Sequence, residues 1–206
     1  MYVNINIQAA CMQQESQNLN HDRTERTKSA LRSAMRKLAL EQGFAGASTP
    51  AIVKLAGVTR GALYHHYSDK RELFKAVVED DCRVVADAIN RQRNFERGSL
   101  LALKGGAQAF ISAMAEHGRA RIILIEAPSV LGRSELIAIE DQYARGLLRA
   151  ALEAAIKSGV MANLPLDILT GQLSAMFDSA SLDVENGKSI DQALQVVNRI
   201  LEGLCV

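Results

Sequence analysis

The chain has 206 residues, 48% of them apolar and 23% charged, with a formal net charge of +1. That length holds one large domain or a small one beside a larger one, and the apolar share is ample for a buried core without staples. Three scattered cysteines, Cys11, Cys82 and Cys205, exclude a disulfide framework and suggest no zinc site, while no run of about 18 apolar residues exists to span a membrane. Residues 1–22 lack the basic and then apolar plan of a leader. The expectation is a cytoplasmic protein, neither exported nor membrane-associated, that needs no cofactor and no metal.

Charge is unevenly placed. From His21 to Lys75 there are eleven Lys/Arg against five acids, a surplus of six on a near-neutral chain, which suggests one polyanion-binding face. Residues 1–21 are rich in Asn and Gln with little apolar periodicity and read as a mobile arm or a frayed helical extension. Asp22 and Glu25 resemble a capping box, and Leu31, Ala34, Met35 and Leu38 form the stripe of a first helix that ends at Gly43. Phe44 then turns into a small core. Ser48 is the N-cap of a short helix with Pro50 in its first turn, and Gly57 supplies the positive φ of a tight turn. Ile52, Leu55, Val58 and Leu63 are expected to converge on helix one. A third helix of roughly residues 59–67 exposes Thr59, Arg60, Tyr64 and His65, with Tyr67 expected in the core.

Ser68 or Asp69 caps a fourth helix reaching about Asn94, with Leu73, Phe74, Val77, Val78, Val84, Val85, Ala88 and Ile89 at helical spacing. Helices are then predicted over 100–116, around 119–126, in one piece from about 134 to 158, over 165–183 and over 189–204, with breaks at Gly98, Gly118, Pro128, Gly132, Gly159, Pro165 and Gly187. No convincing strand is found. The last two helices are apolar on more than one side, through Leu166, Leu169, Leu173, Met176 and Phe177 and then Ile190, Leu194, Val196, Val197, Ile200, Leu201 and Leu204. Pairing with the same helices of a second chain as a four-helix bundle would cover them; burial against the chain's own helices is the alternative.

A short helix, a glycine turn and a second short helix make a helix-turn-helix, which lays its second helix in the major groove of DNA. Arg60 suits a bidentate contact to guanine or a phosphate, Thr59 offers a hydroxyl and a methyl, and Gly61 allows close backbone approach. Lys70, in the first turn of helix four, opposes the helix dipole, and a nearby phosphate would explain it. Adjacent histidines such as His65 and His66 point apart on a helix, so they make no metal site; one is expected to face DNA while the other packs.

The combination Ile52, Ala56, Gly57, Val58, Thr59, Gly61, Leu63, Tyr64, His66, Lys70 and Leu73 resembles the TetR family of bacterial transcriptional regulators. Departures from that family's pattern are Val53, Ala62, Tyr67 and Ala47. The resemblance implies an all-α fold of about nine helices. Residues 22–69 would be the DNA-binding domain, joined by a long helix to a domain over 70–206 for effector binding and dimerisation. It implies Thr59, Arg60 and Gly61 as groove contacts, and Ser48, Tyr64, His65 and Lys70 as phosphate contacts, with Ser48 or Thr49 replacing a threonine often found where Ala47 stands. It further implies a homodimer through about 165–204 on a palindromic double-stranded DNA operator, released as a repressor by an unidentified small-molecule effector and located in the bacterial cytoplasm, on the nucleoid when bound. Residues 121–132 and 143–159 resemble the C-terminal domains of some members.

Large apolar side chains on central helices make Phe95, Leu103, Phe110, Met114, Ile125, Tyr143 and Phe177 candidate pocket walls, with His117 and Arg121 as polar anchors. No nucleophile elbow, P-loop, zinc-protease or dinucleotide motif occurs, and Glu79-Asp80-Asp81 reads as a charge run on a helix, so catalysis is not expected. The alternative function is a non-enzymatic helical regulator acting through protein partners or as an activator.

Overall fold

A computed structural model describes residues 2–92 and 98–206, with side chains from residue 21 onward. Among the described residues there are ten α-helices and one π-helical segment, and no strand beyond an isolated antiparallel bridge between Met161 and Cys205. They are α1 (Tyr2–Gly46), α2 (Thr49–Ala56), α3 (Arg60–His66), α4 (Lys70–Arg91) and α5 (Leu100–Ala115), then the π segment (Arg121–Glu126), α6 (Ala127–Leu131), α7 (Arg133–Gln142), α8 (Ala144–Lys157), α9 (Leu166–Glu185) and α10 (Ile190–Gly203). The chain divides into two compact units, Met1–Phe74 and Lys75–Val206.

The first unit is built on α1. Leu31, Ala34, Met35 and Leu38 lie on its buried face, and Gly43 leaves helical geometry at φ 73°, ψ 166° where the stripe ends. Ile52 from α2 and Leu63 from α3 are fully buried with it, as are Leu73 and Phe74. Both short helices and the start of α4 are capped: the Ser48 hydroxyl accepts from Ala51 N at 3.4 Å, the Thr59 hydroxyl from Ala62 N at 3.1 Å, and Asp69 Oδ1 from Glu72 N at 2.8 Å. A cap of this kind contributes about 1 kcal/mol, a large share of what an eight- or seven-residue helix has available. Phe44 packs on Phe74 with ring centroids 5.2 Å apart. Tyr67 is half-buried, its hydroxyl accepting from Arg32 NH1 at 3.3 Å. Two expected core residues differ from the sequence reading: Leu55 is 45% exposed and Val58 half-buried. Ile52 is the one fully buried residue of α2, and Leu55 lies off that face.

The second unit has one apolar cluster at its centre, in which Leu103, Ala107 and Ile111 of α5 meet Leu152 and Ala155 of α8, Leu169, Leu173 and Phe177 of α9 and Val197 and Leu201 of α10. α4 adds Val77, Val78, Cys82, Val85 and Ala86 to the buried set, while Val84 is 41% exposed because the next turn already fills the buried stripe. The single helix expected over about 134–158 is two, α7 and α8, broken at Tyr143 (φ −123°, ψ −119°). Gly146 makes the break possible: a Cβ there would run into the Asp141 carbonyl oxygen. Between Gly118 and Pro128 the backbone widens to π-helical spacing, with Ala127 N donating to Ile122 O. Proline has no N–H to return to the preceding turn, which favours such an irregularity beside it.

Candidate nucleic-acid interface

α3 presents one side. Leu63 alone is fully buried, whereas Thr59, Arg60, Gly61, Tyr64 and His65 are exposed. The Arg60 guanidinium lies 5.5 Å from the centre of the Tyr64 ring, so the two longest side chains of the helix share a stacked arrangement that leaves the planar fork free. Neither α2 nor α3 carries an acid. Four acids elsewhere in the unit are occupied: Glu25 with Lys28 at 3.0 Å, Glu41 with Lys37 at 3.9 Å, Glu72 with Arg71 at 3.6 Å, and Asp69 in its cap. The positive ends of two short helices and Lys54, exposed near the end of α2, therefore face solvent without a local counter-charge.

His65 is exposed and His66 half-buried, with rings 4.9 Å apart in an edge arrangement. Burial, then the neighbouring His65 charge, holds His66 below the usual histidine range. Ser48 is exposed and spends its hydroxyl on the cap, and Thr49 opens α2 half-buried. Ala47, where the family often has threonine, is fully buried. Lys70 is half-buried: its Nζ donates to Phe44 O at 2.9 Å and lies 4.1 Å from the Phe44 ring centre. Thus an end-of-helix carbonyl, not only an external phosphate, accounts for a cation in the first turn of α4. An ammonium has three donors, so two directions remain for other acceptors.

In the second unit three neighbouring cavities share Arg145 and Ser174. The first, of about 80 Å3, has Leu103, Phe110, Leu148 and Phe177 in its walls; the second, of about 30 Å3, has Phe110, Met114 and Tyr143 beside Cys82, Glu140 and Asp178. The third, about 340 Å3, runs past Leu136, Ile137, Arg133, Glu140 and Asp178. Five of the expected wall residues, Leu103, Phe110, Met114, Tyr143 and Phe177, are therefore brought to adjoining spaces. Ile125 is 54% exposed and lines none of these three, because its place on the π segment turns it outward. Phe95 lies outside the described residues. His117 and Arg121 are exposed, His117 at a turn with φ 56°.

Polar groups that the sequence reading left aside lie deeper. Burial, then the Glu140 charge, raises Asp178 to about 7, and burial raises Glu140 as well. The Cys82 thiol is pushed up by burial first and then by the surrounding carboxylates, so it is an inert core group. Asp81, read as part of a charge run on a helix, is buried with Arg119, whose Nε is 3.6 Å from Asp81 Oδ1 and whose NH1 donates to Ala113 O.

Two family sequence patterns match this chain: that of the bacterial regulatory proteins of the tetR family over residues 31–77, and that of the tetracyclin repressor-like C-terminal domain over residues 100–204. The chain belongs to the TetR family. Among TetR-like relatives, it is 23% identical to the transposon Tn10 TetC protein of Escherichia coli over 85% of this chain and 89% of that one. It is 34% identical to the HTH-type transcriptional repressor AcnR of Corynebacterium diphtheriae over 34% of this chain and 36% of AcnR, so that likeness spans only about a third of either. A solved structure, the fatty acid degradation regulator FadR of Bacillus halodurans, shares the fold at TM-score 0.72 with 17% identity, covering 84% of this chain and 93% of that one. As a TetR member the protein is a DNA-binding transcriptional regulator. Dimerisation and ligand binding are typical of the family, whose members are generally non-enzymatic. No helix among the described residues is long and apolar enough to cross a membrane.

Proposed function

We propose that the protein is a homodimeric repressor that reads a palindromic operator with α3 and releases it when a small-molecule effector enters the cavities of the second unit. The observation that carries this reading is the one-sided exposure of α3, with Thr59, Arg60, Gly61, Tyr64 and His65 outward and Leu63 inward. Arg60 and Thr59 contact base edges, while Ser48, Thr49, Tyr64, His65 and Lys70 hold phosphates and so fix the register. The repressor sign is supported by the likeness to AcnR, a transcriptional repressor.

The dimer is made by α9 and α10, which leave Ile168, Val196 and Ile200 exposed at 62%, 60% and 42% after their inner faces have joined the core. Its symmetry sets two α3 helices about 34 to 36 Å apart, one turn of B-DNA. α4 is the lever, since one unbroken helix contributes Lys70 to the reading unit and Cys82, Val85 and Ile89 to cavity walls. An effector acts through that helix only by preferring one of two arrangements.

The test compares wild type with Arg60→Ala on DNA fragments from upstream of the gene and its neighbours, using quantitative footprinting. Wild type should protect a discrete site. Arg60→Ala should lose about 1 to 3 kcal/mol of affinity and relax preference at one base position per half-site. Equal binding of all fragments by wild type would contradict the reading.

A further inference from the structure

We propose that the effector is an organic cation with an apolar body, its positive nitrogen held between Glu140 and Asp178 and its apolar part lodged against Phe110, Leu103 and Phe177. This rests on the reading of the cavities as an effector site and names the class of ligand they take.

The geometry begins with the three adjoining cavities, because the two acids stand at the junction of spaces whose remaining walls are largely apolar. Among the described residues neither carboxylate makes a hydrogen bond or a close ion pair. Two cations share these walls: Arg145 donates to Asp141 Oδ1 at 2.8 Å, and Arg133, exposed at the rim of the third cavity, is partly screened by water; both pull the two acids down, but less than burial pushes them up. Both residues are half-buried, and withdrawing a carboxylate from water without a close partner is unfavourable; each is held above its ordinary range by that desolvation, Asp178 to about 7. A cationic ligand relieves this cost and an anionic one adds to it. Across the cavity, Cys82 of α4 is held protonated and cannot pair with a cation. With Arg145 already paired to Asp141, Glu140 and Asp178 are the lining charges without a close partner, and they favour a cation. An alkyl or aryl body fills the first cavity, where Phe110 and Phe177 stand with ring centroids 6.2 Å apart.

Calorimetric titration of the full chain with n-decylamine, n-decanol and sodium decanoate, each below its micelle concentration, separates charge from apolar contact. Decylammonium should bind at least ~10-fold more tightly than decanol, and decanoate more weakly than either. Its affinity should rise as pH is raised through about 7, where Asp178 ionises, while that of decanol stays flat. Asp178→Asn and Glu140→Gln should each abolish the advantage of the cation, leave decanol affinity unchanged and not lower the thermal midpoint, since each removes a buried charge. Tighter binding of decanol or decanoate would overturn the cation assignment and leave a small-molecule site standing. Failure of all three to bind would overturn both.

Discussion

Arg60 and Lys70 are both basic residues expected at DNA, yet their surroundings differ. Arg60 is exposed over Tyr64, whereas Lys70 is half-buried against the carbonyl and ring of Phe44. Lys70→Gln should therefore do two things: lower the melting temperature, by loss of the link to Phe44, and reduce the salt slope of DNA binding by about one. A lower melting temperature with an unchanged slope would remove Lys70 from the phosphate contacts. Asp178 gives a second prediction. Its folded value, about 7, lies above the ordinary 3.8, so the folded state binds the extra proton between these values. Stability should be highest below about 4, as far as this group is concerned, and fall as pH rises through about 7. Denaturant titrations at pH 5.5 and 8 should show this loss in wild type and a smaller one in Asp178→Asn; equal losses would assign the trend elsewhere. The outward residues of α3 were legible in the sequence because they belong to a local motif with fixed spacing. Asp81, Arg119, Glu140 and Asp178 were not, since the burial of a polar side chain is decided by partners far away in the chain.

At the scale of elements, the helix-turn-helix depends on a few residues. Gly57 takes φ 67° and has nothing within 4 Å of the position a Cβ would occupy, so Gly57→Ala isolates the backbone cost of the left-handed conformation. It should destabilise the protein by roughly 1 to 2 kcal/mol. Gly203→Ala, also in open space but at the end of α10 without a positive φ, should be neutral or slightly stabilising. Equal effects in thermal melts would mean that the turn is not held by Gly57. The cap at Ser48, the choice of Ser68 or Asp69 for α4 and the glycine turn are local chemistry and were legible in the sequence; the Thr59 cap was not expected, and Asp22, expected to open the first helix, lies inside α1. The break at Tyr143 has no such signal at its own position; it shows only in Gly146, three residues later, whose missing Cβ makes room for the Asp141 carbonyl. The π segment falls within the helical piece expected around 119–126, and its wider spacing, which leaves no mark in Arg121–Glu126 itself, is tied to Pro128 beyond it.

For the whole molecule the question is what covers α9 and α10. Their double-sided apolar pattern was visible in the sequence, but periodicity does not distinguish burial within one chain from burial between two. The fold divides the pattern: Leu169, Leu173, Phe177, Val197 and Leu201 are used within the chain, and Ile168, Val196 and Ile200 are left over. The double substitution Val196→Glu with Ile200→Glu should leave helix content intact and turn a dimer into a monomer in sedimentation equilibrium, with loss of operator binding. A variant that stays dimeric would place the interface elsewhere.

The most direct measurement of the central claim is selection of bound sequences from a random DNA pool by the purified full chain. The account predicts an inverted repeat whose half-site centres lie about 10 base pairs apart, or a multiple of that, on one face of the duplex. Enrichment of a single unrepeated element, or of no sequence at all, would contradict a symmetric dimer that reads DNA through α3.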